Sequence, residues 1–227
     1  MIVVSYFYTR HQEPLMQGVY MISCIGYDVG NFILPFATMF FTSKAIMALA
    51  AFNIPNTMIA MGVTYSLACL VLKKDSGFNL NTFIKELFSS ISFDIYILII
   101  LALFKITLPE PIIHITTTIG SSNSLLVMLM IGLKLDIHII KEEVKQIIEI
   151  LGIRIIVGLI LYLMISLLPL DHDIKVRFIM AFFAPLVSVS SIYRDKLGYK
   201  GNVVADANTL SIFISLIMST VCLIFLL

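Results

Sequence analysis

The sequence predicts an all-α polytopic membrane protein in which two of the spanning helices are interrupted. Hydrophobic residues make up 59% of the 227 positions and charged residues 13%, and the mean hydropathy is +1.03. A soluble domain has about 45–50% apolar and about 25% charged residues, so this composition indicates an integral membrane protein. The apolar residues fall into runs of about 20, the length of a helix that crosses a bilayer. Two of these runs contain proline among polar and flexible residues.

The apolar runs divide the chain into spans. We predict spans over 16–42, 45–72, 93–109, 112–133, 146–169, 175–193 and 204–227, and a shorter stub over 1–8. The spans over 16–42 and 175–193 are the interrupted ones. Residues 79–92 suit an amphipathic helix on the membrane surface as well as a solvated linker helix. The predicted organisation is a first unit over 1–72, a cytoplasmic linker over 73–92 and a second, five-helix unit over 93–227.

The basic residues predict how the spans are oriented. Ten lysines and arginines fall in loops on one side of the predicted topology, and four fall in loops on the other side. The positive-inside rule places the first side in the cytoplasm, so the C-terminus lies outside the cytoplasm. The two interrupted spans then run in opposite directions. Such a pair in corresponding halves predicts an inverted-repeat secondary transporter fold with its site at the interruptions, in a multi-pass protein of the plasma membrane.

The first interrupted span carries Asp28, Asn31 and Pro35. Proline lacks a backbone donor and crowds the carbonyl four residues earlier, so we expect the break at Pro35. A carboxylate in hydrocarbon costs at least about 2.5–3.5 kcal/mol, so Asp28 should face a cavity or a partner. Two roles stay open for Asp28: coupling to a proton or cation with control of the substrate site, and a structural bond to backbone N–H groups freed by the break.

The second interrupted span carries Pro185, Ser188 and Ser190 and no acid. The hydroxyls could satisfy carbonyls that the break leaves free, or they could face a substrate. A half-helix that begins near Pro185 would direct free N–H groups and a positive dipole end towards the centre. Two such ends favour an anion.

Other polar residues in the predicted spans also have either a structural role or a role in the site. Asn53 and Asn56 are expected to line a polar cavity, with Pro55 in the first turn of their helix. Hydroxyls of the belt over 116–122 can join helices, so only Asn123 is taken as a site candidate there. Arg154 lies about 12 Å into its span. We expect it to reach the cytoplasmic interface, with a bond to Asp28 or to an anionic substrate as the alternative.

These residues form the predicted site. The substrate-binding candidates are Asn31, Pro35, Asn53, Asn56, Asn123, Pro185, Ser188 and Ser190, and Asp28 is the coupling or site carboxylate. Neither a cofactor nor a metal is expected, and the net charge of +1 without a basic run gives no sign of a nucleic-acid partner. An intramembrane enzyme would need a Ser–His pair, two aspartates or a zinc-binding His-Glu-x-x-His on spans that face one cavity. Because Asp28 is the one carboxylate deep in a predicted span, we do not expect an enzyme.

Several segments resemble the auxin efflux carrier family, the PIN-like membrane transporters that include bacterial dicarboxylate carriers. They are Tyr-Asp-Val-Gly-Asn-Phe-Ile-Leu-Pro-Phe over 27–36, Ala-Phe-Asn-Ile-Pro-Asn over 51–56, Leu-Met-Ile-Gly-Leu-Lys-Leu-Asp over 129–136, Ala-Pro-Leu-Val-Ser-Val-Ser-Ser-Ile-Tyr over 184–193 and Asn-Thr-Leu-Ser-Ile over 208–212. The resemblance implies two inverted five-helix repeats with crossed, proline-broken helices in a movable transport domain. It implies elevator-type transport of small organic anions such as dicarboxylates or auxin-like carboxylates. Protons or sodium ions are the candidate coupling ions.

The chain departs from the family in two respects. It reads Ser-Asn-Ser over 122–124 where the family often has proline. The resemblance also begins in mid-fold, with about three helices of the first repeat lacking a counterpart. We therefore expect a fragment, a mis-set start codon or a half-transporter that needs a partner, for which a homodimer is one candidate. A non-transporting scaffold is the alternative to an anion carrier.

Overall fold

The computed structural model describes residues 1–40, 43–72, 100–101, 103–134, 143–169 and 172–226. In these ranges the regular elements are helices and no strand occurs. The elements are α1 (Ile2–Tyr8), α2 (Pro14–Ser23), the π-helix π1 (Val29–Ile33), α3 (Leu34–Phe40), α4 (Ser43–Met58), the π-helix π2 (Ile59–Val63), α5 (Thr64–Val71), α6 (Glu110–Lys134), α7 (Val144–Ser166), α8 (His172–Phe182), α9 (Val189–Leu197) and α10 (Val203–Leu226).

Two of the described helices are long and apolar enough to cross a membrane. They are Val144–Ser166 with 23 residues and Val203–Ile224 with 22 residues. At about 1.5 Å per residue such lengths match a hydrocarbon core about 30 Å thick. The coarse prediction, a helical chain with apolar helices of membrane-spanning length, is confirmed.

The uninterrupted spans lie close to their predicted positions. The spans 112–133, 146–169 and 204–227 correspond to α6, α7 and α10, and the span 45–72 corresponds to one continuous helix of α4, π2 and α5. The predicted surface helix over 79–92 and most of the span 93–109 lie outside the described residues. The described end of that span leaves the helix before Lys105, whose φ is 50°. The predicted end at residue 109 is therefore too late.

Two helices are interrupted, but their prolines have different roles. The first interrupted helix consists of α2, π1 and α3 with a break over 24–28, and the second consists of α8 and α9 with a break over 183–188. Pro185 lies in its break, where it disfavours helical backbone at the preceding residue. Pro35 lies in α3, so the prediction that Pro35 breaks the first helix is wrong. Because Pro35 has no N–H to donate, the turn before it widens instead, and the Leu34 N–H bonds to the Val29 carbonyl.

The interrupted helices lie in the middle of the described packing. The helix α2 contacts α5, α9 and α10, and α8 contacts α4, α7 and α10. Two hydrophobic clusters hold these elements, one around Tyr20 and Ile150 and the other around Ile33 and Met180. Each cluster contains residues from both predicted units, so the units pack together through their apolar side chains.

The helix α6 lies apart from this packing. Its described side chains are exposed, and among the described elements it contacts chiefly α3. The hydroxyls of Thr116, Thr117 and Thr118 donate to carbonyls one turn earlier in α6 at 2.8, 2.7 and 2.9 Å. The hydroxyls of these threonines are therefore satisfied within their own helix.

A test of the packing of α7 against α8 uses two glycines of one helix. A Cβ at Gly158 would lie 2.9 Å from the Phe182 carbonyl oxygen, whereas a Cβ at Gly152 would meet nothing within 4 Å. We expect Gly158→Ala to destabilise the protein by about 1–3 kcal/mol through overpacking. Gly152→Ala should be neutral or stabilising by up to about 1 kcal/mol, because alanine favours helix.

The measurement is the thermal unfolding of the detergent-purified protein. Equal melting temperatures for the two alanine variants would contradict the close approach of α7 to α8.

Candidate functional site

The two breaks meet in the interior, and we call this place the crossing (residues 24–28 and 183–188). The backbone N–H of Asp28 donates to the carbonyl of Pro185 at 3.0 Å. Asp28 is 7% exposed and Pro185 is buried. Groups that each interrupted helix cannot satisfy within itself are therefore partly satisfied by the other helix.

A buried guanidinium joins the carbonyl groups of the crossing. Arg154 of α7 is 5% exposed. Its Nη1 donates to the carbonyls of Ser23 (3.3 Å) and Gly26 (2.8 Å), and its Nη2 donates to those of Ala184 (3.0 Å) and Pro185 (3.0 Å). One amino group thus holds each interrupted helix. We call these four bonds the Arg154 clamp.

The environment of Arg154 differs from the predicted reach to the interface and from the predicted bond to Asp28, and a bond to an anionic substrate stays a prediction. The guanidinium does not reach an interface, and in the described structure its hydrogen bonds go to carbonyls and not to Asp28. The ends of α2 and α8 carry the negative ends of helix dipoles, which attract a cation. The carbon Cζ also lies 5.3 Å from the centroid of the Tyr27 ring, within cation–π range. The predictions of snorkelling and of pairing with Asp28 are wrong, because dipoles and an aromatic face compensate the buried charge.

The carboxylate of Asp28 lies at the starts of π1 and α9, where the helix dipoles have their positive ends. Its Oδ1 accepts the backbone N–H of Asn31 at 3.3 Å, which caps π1, and its Oδ2 accepts the hydroxyl of Ser188 at 3.2 Å. Ser188 is the residue before α9. An acid is favourable at a helix start, where N–H groups are free. The structural role of Asp28 is therefore observed, and its role in coupling stays a prediction.

A side-chain amide of α4 satisfies backbone groups in the first break. Asn56 accepts the N–H of Tyr27 at 3.1 Å and donates to the carbonyl of Tyr27 at 2.7 Å and to Oδ1 of Asn53 at 3.3 Å. A Cβ at Gly26 would lie 3.0 Å from Oδ1 of Asn56, so glycine lets this amide approach the backbone. Pro55 lies inside α4, which begins at Ser43. Its predicted place in a first helical turn is therefore wrong.

A hydroxyl of α10 has the corresponding role in the second break. The N–H of Leu186 donates to Oγ of Ser211 at 3.0 Å, and this hydroxyl donates to the carbonyl of Asn208 at 2.7 Å. Ser211 was not among the residues predicted for the site. A signal was present, because Asn208 and Ser211 have the same three-residue spacing as Asn53 and Asn56. Asn208 Oδ1 is buried and has no hydrogen-bond partner in the part of the chain that the structure describes.

The remaining candidates lie at different places in the fold. Asn31 contributes its backbone N–H while its side chain is exposed, and Pro35 is buried in α3. Ser190 is 2% exposed within α9. Asn123 lies in α6, and its side chain is outside the description. The structure thus brings Asp28, Pro185 and Ser188 into direct contact, Asn56 adjoins them through Tyr27, and Asn53 is bonded to Asn56.

The crossing is closely packed in this structure. A cavity of about 20 Å³ lies beside Arg154, lined among others by Leu151, Phe183 and Ser211. This is room for about one water molecule. Among the described residues, no group of three His, Cys, Asp or Glu side chains lies close enough to hold a metal ion.

The comparisons with known proteins give no family. No family model, curated protein or solved structure matches the chain. The resemblance to auxin efflux carriers therefore stays a prediction, and function is inferred from the crossing itself.

Replacement of Asn56 tests whether its amide stabilises the protein by bonding to the Tyr27 N–H and carbonyl in the first break. Asn56→Ala removes a donor and an acceptor from Tyr27, and each unsatisfied buried group costs about 1–3 kcal/mol. We expect a clear fall in the melting temperature of the purified protein. Asn31→Ala is the matched control and should leave it unchanged, because the Asn31 side chain is exposed. A melting temperature unaffected by Asn56→Ala would contradict the assigned bonds.

Proposed function

We propose that the chain is a multi-pass plasma-membrane carrier for small organic anions and a member of the auxin efflux carrier family. The observation that carries this proposal is the direct contact of two interrupted helices at their breaks. In hydrocarbon, interrupted helices persist where protein satisfies them or where they line a cavity. In secondary transporters such interruptions form the substrate site near the midplane.

The chemistry of the crossing favours a carboxylate as the substrate group. The N–H of Asn31 and the hydroxyl of Ser188 converge on a carboxylate of the protein itself. Donors at helix starts bind anions well. A second carboxylate could use the same donors once Asp28 releases them. Dicarboxylates and auxin-like carboxylates, the substrates that the resemblance implies, offer this group.

An inverted repeat is consistent with the way the two breaks are completed. In each half, the helix that follows the break supplies a polar side chain to a peptide group of that break: Asn56 to Tyr27 and Ser211 to Leu186. The units over 1–72 and 93–227 would then be the two repeats. The ten basic residues on one side place that side in the cytoplasm and the C-terminus outside. Transport would be an elevator-type movement coupled to protons or sodium ions.

A non-transporting scaffold is the second candidate, and one observation favours it. The cavity of about 20 Å³ beside Arg154 holds about one water molecule, far less than an organic anion needs. A carrier has to open the crossing during its cycle, whereas a scaffold does not.

Uptake into proteoliposomes separates a carrier from a scaffold or an enzyme. We expect the purified chain to take up labelled malate, malonate or indole-3-acetate above the level of empty vesicles, and to do so faster with a proton or sodium gradient. Absence of uptake for all three anions, with a protein that unfolds cooperatively on heating, would favour the scaffold.

Replacement of Asp28 tests its role in coupling. Asp28→Asn keeps the size and an acceptor for Ser188 but removes the charge, so folding should be retained. We expect uptake to fall by at least about tenfold, equivalent to about 1.4 kcal/mol of barrier, and to lose its dependence on pH. Ser188→Ala is the control, because it removes a partner of Asp28 and keeps the carboxylate. It should retain the pH dependence.

An Asp28→Asn variant with the uptake and pH profile of the wild type would leave Asp28 only its structural role.

A further inference from the structure

We propose that Arg154 is a positioning residue of the carrier. The Arg154 clamp fixes the two interrupted helices relative to each other and thereby sets the distance between the Asn31 N–H and the Ser188 hydroxyl, the two donors that bind the Asp28 carboxylate. The part of this proposal that concerns transport rests on the proposed function. The part that concerns the joining of the helices can be measured without transport.

The division of the four bonds carries the proposal. Nη1 binds two carbonyls of the first interrupted helix and Nη2 binds two carbonyls of the second. The guanidinium is planar and rigid, so the two pairs of carbonyls keep one relative position. Hydrogen bonds of 2.8–3.3 Å weaken steeply when either partner shifts. A displacement of one break against the other would therefore cost two bonds.

The clamp also disfavours the two amino groups of Arg154 as ligands of the transported anion. The two amino groups of a guanidinium carry four N–H bonds, and carbonyls use all four. An anion at Arg154 would have to displace main-chain acceptors from a residue that is 5% exposed. The Asn31 N–H and the Ser188 hydroxyl instead already bind a carboxylate, that of Asp28, which a substrate carboxylate would replace.

Short backbone segments connect the clamp to these donors. Gly26 is two residues from Asp28, and Pro185 is three residues from Ser188. Within those segments the Asp28 N–H bonds to the Pro185 carbonyl, and Asn56 holds both sides of the Tyr27 peptide. The position of the carboxylate relative to Ser188 is therefore set through the clamped carbonyls.

The experiment compares Arg154→Lys and Arg154→Ala with the wild type in proteoliposomes. Lysine keeps the charge but offers a single ammonium that cannot hold both pairs of carbonyls. We expect Arg154→Lys to fold and to lose at least about tenfold of its maximal uptake rate, because small misplacements of binding groups reduce rates strongly. Arg154→Ala should be inactive and should recover uptake with millimolar guanidinium, but not with equal ammonium or sodium.

The control for a basic residue is Arg194→Lys, because Arg194 pairs with the neighbouring, exposed Asp195 in α9. It should transport like the wild type. A folded Arg154→Lys protein with wild-type uptake would overturn the proposal, and so would a folded Arg154→Ala protein that guanidinium does not rescue.

Hydrogen exchange tests the clamp even if the wild-type chain transports nothing, a result that would defeat the proposed function alone. Arg154→Lys should speed amide exchange over 24–28 and 183–188 by at least about tenfold. Ile150→Val, a core change on the same helix, should lower global stability without this local effect. Unchanged exchange in both breaks of Arg154→Lys would overturn the clamp.

Discussion

Unsatisfied backbone groups are the constraint on which the interior of this protein depends. A buried N–H or carbonyl without a partner costs about 1–3 kcal/mol, and two breaks in adjacent helices place several such groups at one point. Arg154 donates hydrogen bonds to carbonyls of both breaks, Asn56 bonds to the Tyr27 peptide, and Ser211 accepts the Leu186 N–H. Each of these side chains comes from a helix packed beside the breaks. The packing of α4, α7 and α10 is therefore tied to the interruptions as well as to the apolar clusters.

The same constraint explains the distribution of charge at the crossing. Carbonyl ends of helices attract a cation and N–H ends attract an anion, and the chain supplies Arg154 to the first and Asp28 to the second. A buried ion pair would have to offset the desolvation of both ions by direct contact. Here each ion is compensated mainly by backbone dipoles, so the two can stay apart. Carbonyls occupy the two amino groups of Arg154, and the Asp28 carboxylate occupies the Asn31 N–H and the Ser188 hydroxyl.

Much of the helical framework could be predicted from the sequence, because burial in hydrocarbon requires long apolar runs, as in α7 and α10. The position of the second break was also predictable, since Pro185 acts on its own neighbours. The prediction placed the first break at Pro35 because proline lacks a backbone donor, but a π-helical turn accommodates this proline, and the chain leaves the helix after Ser23. The partners of Arg154 could not be predicted. They lie 30 and 31 residues away in one interrupted helix and 128 and 131 residues away in the other, and only the tertiary fold determines whether the guanidinium binds water or these carbonyls.

The two breaks are equivalent in construction but not in chemistry. In each break a polar side chain from a following helix bonds to a backbone group: Asn56 in the first break and Ser211 in the second. Each of these residues lies three positions after an asparagine, Asn53 or Asn208. An amide can serve a donor and an acceptor of the backbone at once, whereas Ser211 accepts from Leu186 and donates within its own helix. The first interrupted helix also carries the acid. The described side-chain bonds to the first break thus include both a donor and an acceptor of one peptide, and a carboxylate lies in that break. The two interrupted helices are joined at this point by the bond from Ser188 to Asp28 and by the bond from the Asp28 N–H to the Pro185 carbonyl.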